Sequence, residues 1–208
     1  MSSVKASAVN KTIIKTSGFG SVCLVWSEGS GGIRVERVLL SLPGYPAEKR
    51  AAELYPLCRP CSCESVDALA YAIEAYLEGG EVTFPLRLVD LSGFSPFQQA
   101  VLRAQHAIPR GSVSTYGLIA ARVGTPGGAR AVGRVMAKNP YPLIIPCHRT
   151  ILSGLHLGYF QSGAKMKRRL LELEGIVFDA KGRMVCGRVH DPLTTGGAKT
   201  GFSQRNRS

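Results

Sequence analysis

The sequence predicts an α+β fold: a small antiparallel-sheet N-terminal domain, then a helical C-terminal domain that carries a helix-turn-helix and the reactive cysteine. Three observations predict it. Strand-like apolar segments at residues 21–26 and 33–42 flank a glycine-rich turn, Glu28-Gly29-Ser30-Gly31-Gly32. Helical spacing of apolar residues dominates residues 95–138. A chain of 208 residues with 45% hydrophobic content can bury one large core or two small ones. The expected division is an α+β scaffold domain over residues 1–91, a second, helical domain over 92–186, and a disordered basic tail over 187–208.

Taken in order, the first two segments make an antiparallel sheet. Val66, Leu69, Ala70, Ile73 and Leu77 then recur at helical intervals, with Ser65 as the expected N-cap and Gly79-Gly80 as the stop. Residues 81–91 return to strand character. Ser95-Pro96-Phe97 opens a helix with a capping serine and a proline in the first turn, and this helix ends before Pro109. Residues 114–123 and 129–138 form two helices joined by Gly124-Thr125-Pro126-Gly127-Gly128, the outline of a helix-turn-helix or of an ordinary helical hairpin. On the second of these, Arg130, Arg134 and Lys138 stand four residues apart and share one face. That face is either a solvated surface or a set of phosphate contacts.

A net charge of +12 and a pI near 9.8 favour nucleic acid or an anionic surface as partner, without choosing among DNA, RNA and acidic lipid. The first residues hold Lys5, Lys11 and Lys15 but no apolar signal core, and no later stretch is apolar over the length of a membrane span. A soluble intracellular monomer, cytoplasmic or nuclear, is expected. The six cysteines then sit in a reducing compartment. Cys58, Cys61 and Cys63 could give three thiolates to zinc, with Cys23 or His106 as a distant fourth ligand, or they are reactive or incidental loop cysteines; Cys186 reads as incidental.

Pro146-Cys147-His148-Arg149 follows the apolar run Tyr141-Pro142-Leu143-Ile144-Ile145, which reads as a buried strand. The thiolate is the reactive form of cysteine, and an ordinary thiol with a pKa of about 8.5 needs a neighbouring base to ionise near neutrality. A Cys-His pair alone is equally a half-buried cysteine beside a surface histidine. Its surroundings are more specific: Arg130-Ala131-Val132-Gly133-Arg134 and Asn139-Pro140 upstream, and Gly158-Tyr159-Phe160, Lys167 and Leu170-Leu171-Glu172-Leu173-Glu174-Gly175 downstream. In these residues the chain resembles the O6-alkylguanine-DNA alkyltransferase family, over about residues 95–175.

The resemblance implies a DNA-repair protein that moves a methyl or other alkyl group from O6 of guanine, with O4 of thymine as a further candidate, irreversibly onto Cys147. It implies alkylated DNA as partner and no cofactor. By carry-over, His148 takes the thiol proton through a water, Glu174 orients the imidazole, and Asn139 precedes the active-site segment. Tyr116 helps rotate the nucleotide and donates to the departing oxygen, while Arg130 fills the gap left by the flipped base. Thr125 and Ser153 match backbone-contact positions. Phe160 stands in the substrate pocket where some family members have a second tyrosine, and the loop over 152–161 is richer in Leu and His than the family pattern; His156 reads as a loop residue. Three other classes remain: a lesion sensor, which lacks the reactive cysteine; a helix-turn-helix regulator, which leaves Cys147, His148 and Glu174 unexplained; and a cysteine hydrolase, which leaves the cationic helix unexplained.

Overall fold

Apolar residues at the centre of the first 40 positions draw the chain into three antiparallel strands, β1 (Val9–Thr16), β2 (Gly20–Gly29) and β3 (Gly32–Leu40). The computed structural model describes residues 9–16, 18–29 and 31–191. β2 lies between the other two and is buried from Ser21 to Ser27, so its sequence is a continuous apolar run and not an alternating one. Gly29 pairs with Gly32 across the expected turn, where Gly32 has a φ of 100°. Trp26 is fully buried and donates its indole N–H to Thr12 Oγ1 at 3.0 Å.

The sheet is covered by α1 (Ala47–Leu54) and α2 (Glu64–Leu77), and the short strand β4 (Arg59–Pro60) pairs parallel to β1, giving the order β3-β2-β1-β4. Helix α1, absent from the sequence expectation, sets Ala47 and Ala51 against Cys23, Val25, Leu39 and Cys58. α2 is capped by Cys63 in place of Ser65, with no side-chain cap bond. Residues 81–91 correct the expected strand. They hold a 3-10 turn over Leu86–Leu88 and a single bridge, Val35 to Val89, because Pro85 removes a ladder donor in mid-segment.

By contacts the chain divides into two units, one running to Asp90 and including Pro140–Pro142, the other holding Leu91–Asn139 and the residues from Leu143 onward. The second unit opens with α3 (Pro96–His106). Its capping box is complete: Ser95 Oγ accepts from Gln98 N at 3.4 Å, and Gln98 Oε1 accepts from Ser95 N at 2.9 Å. Next come β5 (Ser112–Thr115), α4 (Tyr116–Arg122) and α5 (Ala129–Ala137). α4 starts two residues later than expected because Thr115 acts as N-cap, its hydroxyl accepting from Leu118 N at 3.2 Å.

The run before Cys147 is buried, as its composition requires, yet it is a turn and not a strand. Pro140, Pro142 and Pro146 remove three ladder donors, and Leu143 takes a left-handed φ of 74°. A 3-10 turn over Cys147–Arg149 leads into β6 (Thr150–Ile151), then α6 (Ala164–Leu173), the hairpin β7 (Val177–Phe178) with β8 (Met184–Cys186), and β9 (Arg188–Val189).

β6 and β9 both pair parallel to β5. This corrects the expected start of the tail. Arg188 and Val189 face Ser112 and Val113, and His190 N donates to Val113 O at 2.6 Å; residues 192–208 lie outside the described residues. Shortening the chain to Gly187 should therefore lower the melting temperature by about 4 °C relative to shortening it to Asp191, through loss of roughly 1 kcal/mol of edge pairing. Equal melting curves would show that β9 contributes nothing. Among the described residues no helix is long and apolar enough to cross a membrane.

Candidate active site

The second unit gathers its chemistry around the Cys147–Arg149 turn. Cys147 is 8% exposed and His148 fully buried. The proline-rich loop that brings Cys147 inward is closed by Asn139, at the end of α5, whose Nδ2 donates to Ile145 O at 2.9 Å and whose side chain also hydrogen-bonds to the Cys147 thiol. Burial pushes the thiol pKa up, against the pull of the Asn139 bond, the Lys167 ammonium and the backbone N–H groups of Cys147 and His148. The resting sulfur is a thiol surrounded by groups that favour its ionised form.

His148 Nε2 stands 3.1 Å from Glu174 Oε1 at the end of α6. Burial lowers the imidazole pKa more than Glu174 raises it, so the ring rests neutral and can accept a proton. Nε2 is thus engaged by Glu174, and Nδ1 is buried within the same cluster. Burial would raise the Glu174 carboxyl, but His148 and Arg149 outweigh it and hold the group below the ordinary carboxylate range. Arg149 forks onto this carboxylate, with Nε at 2.9 Å from Oε2 and Nη2 at 2.8 Å from Oε1, and its Nη1 donates to Ile108 O at 2.7 Å.

Tyr116, the first residue of α4, is half-buried with its ring beside Gly133 of α5. Burial and the nearby Cys147 raise its pKa, so the phenol stays protonated. Phe160 is buried and meets His148 edge to face, ring centroids 6.5 Å apart. Cys147, His148, Glu174, Asn139, Tyr116 and Phe160 are thus brought to one place. Arg130, Thr125 and Ser153 lie apart from this buried cluster, all exposed: Arg130 on the face of α5 that also shows Arg134 and Lys138, Thr125 in the turn before it, and Ser153 on the loop after β6. In that loop Gly158, at φ 70°, leaves room for Leu152, which an added Cβ would approach to 3.1 Å.

Two participants were not assigned roles from sequence. Arg149 entered only as part of a motif, although it is the main cation on Glu174. Lys167 is fully buried, donates to Thr150 O at 2.6 Å and Tyr159 O at 3.2 Å, and has its pKa brought down to about 8 by burial, against the attraction of Cys147. The available signal was a lysine on the same helix face as Leu170 and Leu171. The cysteine cluster of the first unit is dispersed: Cys58 lies in the core with Cys23, Cys61 is exposed, and Cys63 caps α2. Among the described residues no group of three or more His, Cys, Asp or Glu could hold a metal ion.

Fold and site together define a mixed α+β protein with a buried Cys-His-Glu centre braced by arginine and lysine. Residues 96–176 match the family model described as the DNA binding domain of 6-O-methylguanine DNA methyltransferase. The chain is 41% identical over 117 residues to a methylated-DNA–protein-cysteine methyltransferase of Methanothermobacter thermautotrophicus, covering 56% of this chain and 65% of that protein. It is 42% identical over 114 residues to the one from Mycolicibacterium paratuberculosis, covering 53% of this chain and 68% of that protein. A crystal structure of Mycobacterium tuberculosis OGT in complex with DNA superimposes with a TM-score of 0.62 at 32% identity, covering 80% of this chain and 93% of that one. The chain belongs to the 6-O-methylguanine DNA methyltransferase family. It spans just under two-thirds of the length of the Methanothermobacter relative.

Proposed function

We propose that this protein repairs alkylated DNA by direct reversal, moving a methyl or other alkyl group from O6 of guanine to Cys147. The observation that carries this reading is the buried thiol held among Asn139, Lys167 and the His148-Glu174 pair. Its support from relatives is that the Methanothermobacter and Mycolicibacterium proteins are named methylated-DNA–protein-cysteine methyltransferases.

An alkyl carbon on an aryl ether oxygen is a soft electrophile, and a thiolate attacks it better than an alkoxide at neutral pH. The thiol proton passes to His148 Nδ1, directly or through a water, while Glu174 stabilises the imidazolium. Lys167 and the N–H groups of the turn hold the developing thiolate. The sulfur–carbon bond forms as the carbon–O6 bond breaks, and the electron pair left on guanine takes a proton through the Tyr116 hydroxyl. One proton leaves the thiol and one arrives on the base.

A thiol this buried cannot reach a base inside a duplex, so the nucleotide must be extruded at a cost of a few kcal/mol. In this reading α4 and α5 act as a helix-turn-helix, with Arg134 and Lys138 on phosphates, Arg130 in the vacated stack, and Thr125 and Ser153 on the DNA backbone. Phe160 and the loop over 152–161 wall the pocket. The domain expected over residues 92–186 would then unite DNA binding and alkyl acceptance, with residues 1–91 as scaffold and the protein acting as a monomer.

Mixing the protein with a duplex containing O6-methylguanine and weighing its peptides tests this directly. One added methyl on the Cys147 peptide is expected, and an unmodified peptide beside persisting O6-methylguanine would reject the reading. Arg130→Ala should slow repair of duplex DNA far more than repair of the free base, because the arginine acts on extrusion; equal losses would contradict that role. Lys138→Ala should instead reduce the salt dependence of binding by about one phosphate contact.

A further inference from the structure

Gln105 lies on the inward face of α3 beside Val101 and Leu102, a position that the helix pattern reserves for an apolar side chain. It is fully buried, and a buried amide is costly unless both ends are bonded. Both ends are. Its Nε2 donates to Pro146 O at 2.6 Å, and its Oε1 accepts from Thr150 Oγ1.

Pro146 immediately precedes the Cys147–Arg149 turn and Thr150 immediately follows it, so one side chain from another helix ties the two ends of the nucleophile's turn together. Thr150 O is in turn the acceptor for Lys167 Nζ at 2.6 Å, which links the same tie to the buried ammonium. We propose that Gln105 is a positioning residue for Cys147: its amide staples the turn and so keeps the sulfur against the donors that stabilise its thiolate. The proposal rests on the reading of Cys147 as the nucleophile.

Gln105 is uncharged, so it acts through position. The charged and titratable groups that face the thiol are Lys167 from α6, Tyr116 from α4, and His148 with Glu174 and Arg149 behind it; Asn139 at the end of α5 adds a neutral donor. Loosening the turn moves the Cys147 and His148 N–H groups and the Lys167 acceptor together, which raises the pH at which Cys147 ionises.

The test is alkylation of Cys147 by iodoacetamide as a function of pH, followed by peptide mass spectrometry, in the full chain and in Gln105→Met and Thr150→Val. Both substitutions keep the volume and remove the amide–hydroxyl bond; the first also frees Pro146 O. The midpoint for Cys147 should rise by about one pH unit in Gln105→Met, with about tenfold slower labelling at neutral pH. Thr150→Val should shift the same way by a smaller amount, and the double variant no further than Gln105→Met. Exposed Cys61 serves as the internal reference and should keep its profile. A wild-type midpoint in the folded variants, with or without a lower melting temperature, would overturn the proposal. If Gln105→Met does not fold, the Thr150→Val profile decides. Because iodoacetamide needs no DNA, the expected shifts in the variants of a protein that transfers no methyl group would point to failure of the repair reading and not of this one.

Discussion

Cys147→Ser should abolish alkyl transfer while the protein still folds and binds alkylated DNA. The neutral His148 is a weak base, its pKa lowered by burial, and it can share a thiol proton but cannot generate a serine alkoxide at neutral pH. The hydroxyl also presents a harder and smaller nucleophile to the carbon. In the unaltered protein the product is a thioether, whose sulfur–carbon bond neither an imidazole nor an amine cleaves under ordinary conditions. Each molecule should therefore act once. With excess O6-methylguanine DNA, repaired guanine should plateau at one equivalent per active protein and the label should sit on Cys147. Repeated turnover, or label on Cys58 or Cys61, would overturn the assignment, and retained transfer in Cys147→Ser would move the nucleophile elsewhere.

What the sequence disclosed and what it hid follow from how local each signal is. Ser95 and Pro96 announce the start of α3 because a cap and a first-turn proline are adjacent in sequence, and Gly29 with Gly32 announces the hairpin because the turn itself demands glycine. The cationic row of α5 was legible for the same reason: Arg130, Arg134 and Lys138 are exposed while Val132, Val135 and Met136 are buried. Residues 141–145 misled because burial and strand formation are separate matters. The run is apolar because it is buried, and it is a turn because its prolines leave the ladder without donors.

The polar residues that organise the site were hidden by distance. Gln105 meets Pro146 and Thr150 across more than 40 residues, and Arg149 meets Glu174 across 25. No window of sequence contains both partners. The family resemblance supplied Cys147, His148, Glu174 and Asn139, but it could not say that Arg149 forks onto Glu174 or that Lys167 is buried beside the nucleophile. A polar residue on an apolar helix face, as Gln105 and Lys167 both are, is the one local trace such a network leaves.

Glu174→Gln should have the largest effect on stability. Its side chain is fully buried between His148 and Arg149, and removing the negative charge leaves the Arg149 guanidinium without a counter-charge in the interior. Breaking such a pair on one side costs about 3–5 kcal/mol. The pH dependence should change as well. Because the folded carboxyl titrates below its unfolded value of about 4.3, its contribution is present above that pH and is lost as pH falls through the folded value. His148 acts in the same direction. Its folded pKa lies below the unfolded value of about 6.5, so the unfolded chain binds the proton more readily and stability falls as pH drops from there. The unaltered protein should therefore lose stability progressively below about pH 6.5 and more steeply below about pH 4, and Glu174→Gln should show a shallower second limb, with Glu48 and Asp179 still contributing to it. Its transfer rate should also drop, since the imidazolium formed during attack loses its stabilising carboxylate. Urea denaturation across this pH range, with transfer rates measured under conditions where both proteins are folded, gives both readouts. A variant with unaltered stability and an unaltered acid limb would mean that Arg149 and His148 are held by something other than Glu174.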